Sequence, residues 1–191
     1  TAMEEAMQIH QAKSAQMIVL DPTTGAVRAL CTKPSFNLNE IPRDDLDLLN
    51  SFGRNGIISN IYEPGSTFKI LTTAANIEEY LLGNKAAYST SHIFNSSRYR
   101  YVDGQRVKCW SDHKNGKHSC LNIQGALNNS CNPIFVDMAM SLGKQTMYKY
   151  INLFGYGKVT GIDFLGEAQG MVLPSSAIQN MDLARIAFGQ T

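Results

Sequence analysis

The chain has 191 residues, 43% hydrophobic and 17% charged, with a formal net charge of +1. That length and composition suit one sizeable core in one or two lobes and exclude a disordered chain, and the absence of a basic block excludes the electrostatic footprint of a nucleic-acid binder. No run approaches the roughly 20 apolar residues a membrane-spanning helix needs. No secretory leader pattern stands at Thr1, which leaves room for an anchor upstream. The chain starts without Met and stops on Gly189-Gln190-Thr191 with no stop signal for its last helix, so it reads as a piece of something longer. Four cysteines, Cys31, Cys109, Cys120 and Cys131, allow three disulfide pairings or a metal site, and their number does not settle the compartment.

Residues 3–16 read as a short polar helix. Residues 16–20 and 26–31 read as strands joined by the turn Asp21-Pro22-Thr23-Thr24-Gly25, a hairpin by turn chemistry and β-branched content. Cys31 is expected in the core of the second strand. Residues 39–60 are polar and turn-rich, with no regular element predicted. Residues 62–69 then read as a turn feeding directly into a helix. Pro64 and Gly65 punctuate the turn, Ser66 stands where the helix begins, and Ile70, Leu71, Ala74, Ile77 and Leu81 recur at helical spacing. Ser66 and Lys69 share one helical face. Backbone N–H groups at a helix start can stabilise a developing oxyanion, and a lysine one turn on can take the hydroxyl proton if its pKa is depressed. The same spacing also suits an N-cap serine beside a solvated lysine.

From about 84 to 118 the chain is loop-like, with a small hairpin expected around 101–107. The string from Cys109 to Cys120 gathers two Cys, two His and one Asp within twelve residues, enough S, N and O donors for a zinc ion. The preferred ligand set is Cys109, Asp112, His118 and Cys120, with His113 as substitute for Asp112. A Cys109–Cys120 disulfide, free thiols and solvated histidines are the alternatives. Four protein ligands leave no open position, so such a metal would be structural, with no cofactor required for catalysis. Residues 121–150 turn helical. Ile123, Ala126 and Leu127 form one stripe; Ile134, Phe135, Met138, Ala139 and Leu142 form a second, closed by Gly143 as a C-cap. Met138 and Met140 read as core fillers, and Cys131 as buried. Asn129-Ser130-Cys131-Asn132-Pro133 lies between the stripes, and its residue types suit a helix–helix connection. A further helix at about 144–153 ends at Gly155, a loop covers 161–174, and a last helix covers 177–188.

The string Glu63-Pro64-Gly65-Ser66-Thr67-Phe68-Lys69 resembles the nucleophile motif of class B penicillin-binding proteins, the peptidoglycan transpeptidases. Their superfamily signature joins Ser-x-x-Lys to a Ser-x-Asn-type triplet and to Lys-Thr-Gly. Ser130-Cys131-Asn132 matches the triplet, 64 residues after Ser66. The hairpin string around Asp21-Pro22-Thr23-Thr24-Gly25, together with Phe154-Gly155-Tyr156-Gly157, Thr160-Gly161-Ile162-Asp163, Gly166-Glu167 and Ala187-Phe188-Gly189-Gln190, also follows the family's order, so the resemblance covers essentially the whole chain. Relatives carry a Cys-Trp-Lys…Gly-Gly-His-Gly-like passage where this chain has Cys109-Trp110, which makes Asp112 and Cys120 additions to that pattern. No Lys-Thr-Gly follows Gln190. In the family that motif supplies the second oxyanion N–H, and losing one such donor costs on the order of 10²–10³ in rate. The piece is therefore expected not to turn over by itself.

The resemblance implies an α/β fold of the α+β type, an antiparallel sheet plus an all-helical lobe, here incomplete at the C-terminus. Its parts would be 1–60 as first helix and sheet strands, 61–83 as nucleophile helix, 84–120 as the loop with the metal candidate, and 121–191 as the helical lobe. Missing sheet strands would leave apolar faces exposed. The resemblance further implies that Ser66 attacks the D-Ala-D-Ala carbonyl of a peptidoglycan stem peptide, Lys69 takes its proton, Ser130 relays a proton to the leaving amine, and Asn132 holds substrate and orients Lys69. β-Lactams would acylate the same serine. The implied setting is the extracytoplasmic face of the cell membrane, with an anchor outside this chain and a divisome or spore-cortex glycosyltransferase as partner. A serine β-lactamase would need a deacylating water and its base. A β-lactam-sensing or non-catalytic interaction module of the same fold is the other alternative.

Overall fold

The computed structural model describes residues 1–95, 97–111 and 122–190. The chain divides into two compact units, one of residues 1–61 with 159–169, the other of residues 62–158 with 170–191.

The first unit opens with helix α1 (Ala2–His10), which Thr1 and Glu4 close in a reciprocal capping box and Gln11 ends in the left-handed region. The helix is shorter than the expected 3–16. Strands β1 (Ala15–Leu20) and β2 (Val27–Lys33) form an antiparallel ribbon. Its turn is held by Asp21, whose carboxylate accepts the backbone N–H groups of Thr23 and Thr24 and pairs with Arg28 at 2.8 Å. Lys33 ties the ribbon to α1 by donating to Glu4 at 2.7 Å. Residues 39–60, read from sequence as turn-rich, contain two short helices, α2 (Leu46–Phe52) and α3 (Gly56–Ser59). Each is started by one polar side chain, Asp45 accepting from Leu48 N–H and Asn55 from Ile57 N–H. Such caps look like turn residues in a sequence, which is why the segment passed for irregular. No described residue of this unit is fully buried. Cys31 is therefore not a core residue: it faces Met17 across the ribbon and is exposed, because β1 and β2 pair only with each other.

The second unit holds the core. A 3-10 turn (Gly65–Phe68) runs into helix α4 (Lys69–Leu81). The hairpin predicted near 101–107 is strands β3 (Tyr99–Val102) and β4 (Gln105–Lys108), joined at Asp103 and Gly104, both at positive φ as a tight two-residue turn requires. Helices α5 (Ile123–Asn128), α6 (Asn132–Leu153) and α7 (Asn180–Ile186) follow. Gly143 takes φ 77° and breaks α6 internally, at the residue the sequence marks as a stop. Helix α6 packs against both α4 and α7, burying Ile134, Phe135, Met138 and Ala139 against Leu71, Ala75, Leu183 and Ala184.

The buried face of α4 is not the stripe its apolar residues suggest. Ile70 and Leu81 are 65% and 73% exposed, whereas Lys69, Thr72, Thr73, Asn76 and Glu79 are buried beside Leu71 and Ala75. Each buried polar group has partners, as burial in a low-dielectric core demands. Thr72 donates to the Ala187 carbonyl at 2.8 Å, and Thr73 to the Lys69 carbonyl. Asn76 exchanges two bonds with the backbone of Tyr88, and the Glu79 carboxylate accepts from Lys149, Tyr150 and Asn84. Arg100 grips Asp137 with two bonds of 2.6 Å, fastening β3 to α6.

The Lys149 ammonium, with Asn84 and Tyr150, holds the Glu79 carboxyl down at about 2 from its ordinary 4.5. A depressed carboxyl stabilises the fold above its unfolded pKa and loses that contribution as pH falls toward its folded one. Chemical denaturation of the native chain should therefore show stability falling between about pH 4.5 and about pH 2. In Glu79→Gln that part of the pH slope should be missing and stability at neutral pH lower; an unchanged slope would remove Glu79 from the account.

Candidate active site

Two backbone devices bring the predicted side chains together. The first is the end of α5. Ser130 N–H donates to the Leu127 carbonyl and Cys131 N–H to the Ala126 carbonyl, the bond pair of a Schellman cap. Ser130 occupies the left-handed position of that cap at φ 50°, a place glycine usually takes. Cys131 is 1% exposed and anchors the junction in the core, and Asn132 opens α6 with Pro133 behind it. The connecting string is thus a helix–helix junction and a presenter of two side chains at once. The second device is the 3-10 turn, which carries Ser66 exposed at its start and Lys69 at the first position of α4.

Lys69 is 2% exposed, and its Nζ is within hydrogen-bond distance of four oxygens of the described residues. It donates to Asn132 Oδ1 at 2.7 Å, to the Ser130 carbonyl and Oγ each at 2.8 Å, and to Ser66 Oγ at 3.2 Å. Ser130 Oγ donates to Ser66 Oγ at 3.0 Å, which closes a triangle of two hydroxyls and an amine. The Phe135 ring centroid is 5.3 Å from Nζ. Asn132 is fixed from its other side, Nδ2 donating to the Lys108 carbonyl at 3.4 Å. All four residues singled out for catalysis, Ser66, Lys69, Ser130 and Asn132, therefore converge on one point. Of the four oxygens around the amine, two are carbonyl acceptors, Asn132 Oδ1 and Ser130 O, and two are the hydroxyls of Ser66 and Ser130, which can give or take a proton.

Sequence reasoning missed the supports of this point. Gly189 accepts from Gly65 N–H at 3.0 Å and itself sits at φ 78°, so its carbonyl braces the turn that carries Ser66. A Cβ at Gly189 would lie 2.2 Å from the Gly65 oxygen. The Ala187-Phe188-Gly189-Gln190 string was the available signal, since a glycine closing a helix marks a left-handed cap. Trp110 Nε1 donates to the Asn129 carbonyl at 2.9 Å, holding the α5 end against the strand side.

The metal candidates fare differently. Asp112, His113, His118 and Cys120 lie outside the described residues. Cys109 is described and fully buried just after β4, with Sγ 4.0 Å from Ser111 Oγ. Among the described residues no group of three or more His, Cys, Asp or Glu is placed to hold a metal.

A family model described as the penicillin binding protein transpeptidase domain matches residues 15–191. Stage V sporulation protein D of Bacillus subtilis is 36% identical over 91% of this chain and 25% of its own length. The peptidoglycan D,D-transpeptidase FtsI of Escherichia coli strain K12 is 24% identical over 98% of this chain and 29% of its own. The transpeptidase domain of Burkholderia pseudomallei penicillin-binding protein 3 superposes with a TM-score of 0.77 at 19% identity, covering 98% of this chain and 48% of that one, a likeness of fold. The chain thus spans between a quarter and a third of the length of these two curated relatives.

Two substitutions test the supports. Ser130→Gly relaxes the left-handed residue and should be more stable to denaturant than Ser130→Ala by about 1 kcal/mol; equal stabilities would deny strain at this position. Gly189→Ala forces a methyl against the Gly65 carbonyl and should cost about 1–3 kcal/mol in the same measurement.

Proposed function

We propose that this chain, which belongs to the penicillin-binding protein transpeptidase family, carries the acylating half of a serine-type peptidoglycan D,D-transpeptidase site. The observation behind this reading is the four-oxygen surround of Lys69 Nζ. A neutral amine has two hydrogens and one lone pair. Its hydrogens satisfy the two carbonyl oxygens of Asn132 and Ser130, and the lone pair is left for the Ser66 proton. An ammonium has three hydrogens for the same two carbonyls and one hydroxyl. The surround thus accepts the amine before and after proton transfer without rearrangement, as a general base requires.

On this reading Ser66 Oγ attacks the penultimate D-Ala carbonyl of a stem peptide as its proton passes to Lys69. The carbon–nitrogen bond then breaks, and Ser130 Oγ hands a proton to the leaving D-Ala amine while drawing one from Lys69. An amine from a second stem peptide resolves the ester by the reverse path and leaves a cross-link. A β-lactam opens on the same serine. The relatives named above include a sporulation protein and FtsI, which favours a spore-cortex or division setting on the extracytoplasmic face. The membrane anchor and the glycosyltransferase partner belong to segments and chains outside these residues. No helix among the described residues is long and apolar enough to cross a membrane. The partition into first helix and sheet strands at 1–60, nucleophile helix at 61–83, loop with the metal candidate at 84–120 and helical lobe with the Ser-x-Asn triplet at 121–191 is part of the same proposal.

Intact mass after incubation with benzylpenicillin should show one persistent adduct, absent in Ser66→Ala. Lys69→Met should slow its formation by about 10²–10⁴, the range for a lost general base. An adduct that hydrolyses quickly would indicate a β-lactamase instead, and no adduct would favour a non-catalytic module. The zinc reading of residues 109–120 joins the proposal through the buried Cys109. Elemental analysis should find one zinc per chain, and chelation should lower the melting temperature; no metal and no change would dismiss it.

A further inference from the structure

An open cleft of about 340 Å³ adjoins the site, and Asn132 is one of its walls. That volume is within the range of small-ligand pockets. Arg106, Lys108 and Trp110 line it from β4 and the residues after it, Arg185 and Gln190 from α7 and its end, and no lining residue is acidic. Arg106 and Lys108 alternate with the buried Val107, so both stand on the exposed face of the strand. None of the three cations pairs with a carboxylate of the described residues. The nearest acids along these elements are occupied elsewhere: Asp103 accepts from Asn180 Nδ2, and Asp182 from Gln179 N–H. Arg106 is braced with its guanidinium 4.8 Å from the Tyr99 ring centroid, which lowers the ordering cost of using it. The whole chain carries a net charge of only +1, so three cations around one cleft, with no carboxylate partner among the described residues, are a local feature and not the overflow of a basic surface.

Solvated lysines and arginines are ordinary, and Arg185 also suits the carboxyl end of a helix. Neither explains why three cations on two elements line a single cleft with no acid among its described lining residues, at a cost in mutual repulsion, beside the residue that faces the reacting amine. We propose that this cleft receives the non-terminal carboxylates of the acyl-donor peptide, with Arg106, Lys108 and Arg185 selecting a stem whose carboxylates are free over one in which they are amidated. The inference rests on the transpeptidase reading for the identity of the peptide. Lys108 links the two places directly, since its backbone carbonyl orients Asn132 while its side chain lines the cleft.

The chain's one tryptophan, Trp110, is 70% exposed in the cleft wall and reports occupancy without any need for acylation. Its fluorescence should be titrated with a synthetic pentapeptide ending in D-Ala-D-Ala with free side carboxylates, and with the same peptide amidated there. The free-carboxylate peptide should bind more tightly, lose that advantage as ionic strength rises, and weaken roughly tenfold in the exposed-surface triple variant Arg106→Gln, Lys108→Gln, Arg185→Gln, the product of three exposed-pair contributions. The amidated peptide should bind both proteins alike. Equal affinity for the two peptides, no binding of either, or an equal response to inorganic phosphate alone would overturn the proposal. The benzylpenicillin adduct on the unaltered chain is read in parallel. Labelling without carboxylate preference removes the cleft and leaves the transpeptidase reading; carboxylate preference without labelling keeps the cleft as a stem-peptide site and removes only the acylation step.

Discussion

An amine that is 2% exposed is the constraint on which the second unit depends. Taking such a group out of water is costly unless polar partners replace its hydration. Lys69 obtains them from its own turn at Ser66 and from one distant junction, where the cap at Ser130 and the first residue of α6 at Asn132 lie some sixty residues further along the chain. Each partner must be held to within about 0.5 Å of its working geometry, and each is held by backbone. The α5 cap sets Ser130, the Lys108 carbonyl turns Asn132, and Gly189 braces Gly65. The site is therefore a property of how α4, α6 and α7 pack and not of any one motif.

The same logic runs down α4. A helix packed on two sides would ordinarily bury aliphatic residues, yet this one buries Thr72, Asn76 and Glu79 in line with Lys69. Their bonds reach the end of α7, the loop at Tyr88 and the second half of α6. A polar spine satisfied at every position orients a helix more narrowly than interchangeable methyl groups do, because a small rotation leaves donors unpaired. That suits a helix whose first residue must place one nitrogen among four oxygens.

The two units stand differently toward water. The second carries all the fully buried residues among those described, whereas the ribbon of the first leaves Met17, Ile18, Val19, Leu20 and Val27 between 40% and 52% exposed. A two-stranded ribbon has two open faces and cannot build a core by itself. Cys31 shares the exposure of these apolar residues.

Much of this was legible in the residues. The Ser66–Lys69 spacing, the hairpin near 101–107, the break at Gly143 and the Ser130-Cys131-Asn132 string all rest on local chemistry: turn residues, helical period and positive-φ preference. Local rules act over a few residues, and a sequence displays them directly. What needed the tertiary structure was everything decided by distant partners. Ile70 and Leu81 have the right period for a core stripe and are exposed, because burial depends on which neighbour arrives and not on hydropathy. Asp45 and Asn55 looked like loop residues until the helices they cap were seen. Gly189 against Gly65 and the three cations around one cleft have no signature in spacing, since the groups that meet there lie tens of residues apart along the chain, and Ser130 takes a glycine's conformation without the glycine that would announce it. The sequence by itself determined which groups could do chemistry; packing of α4, α6 and α7 decided that they meet at Lys69.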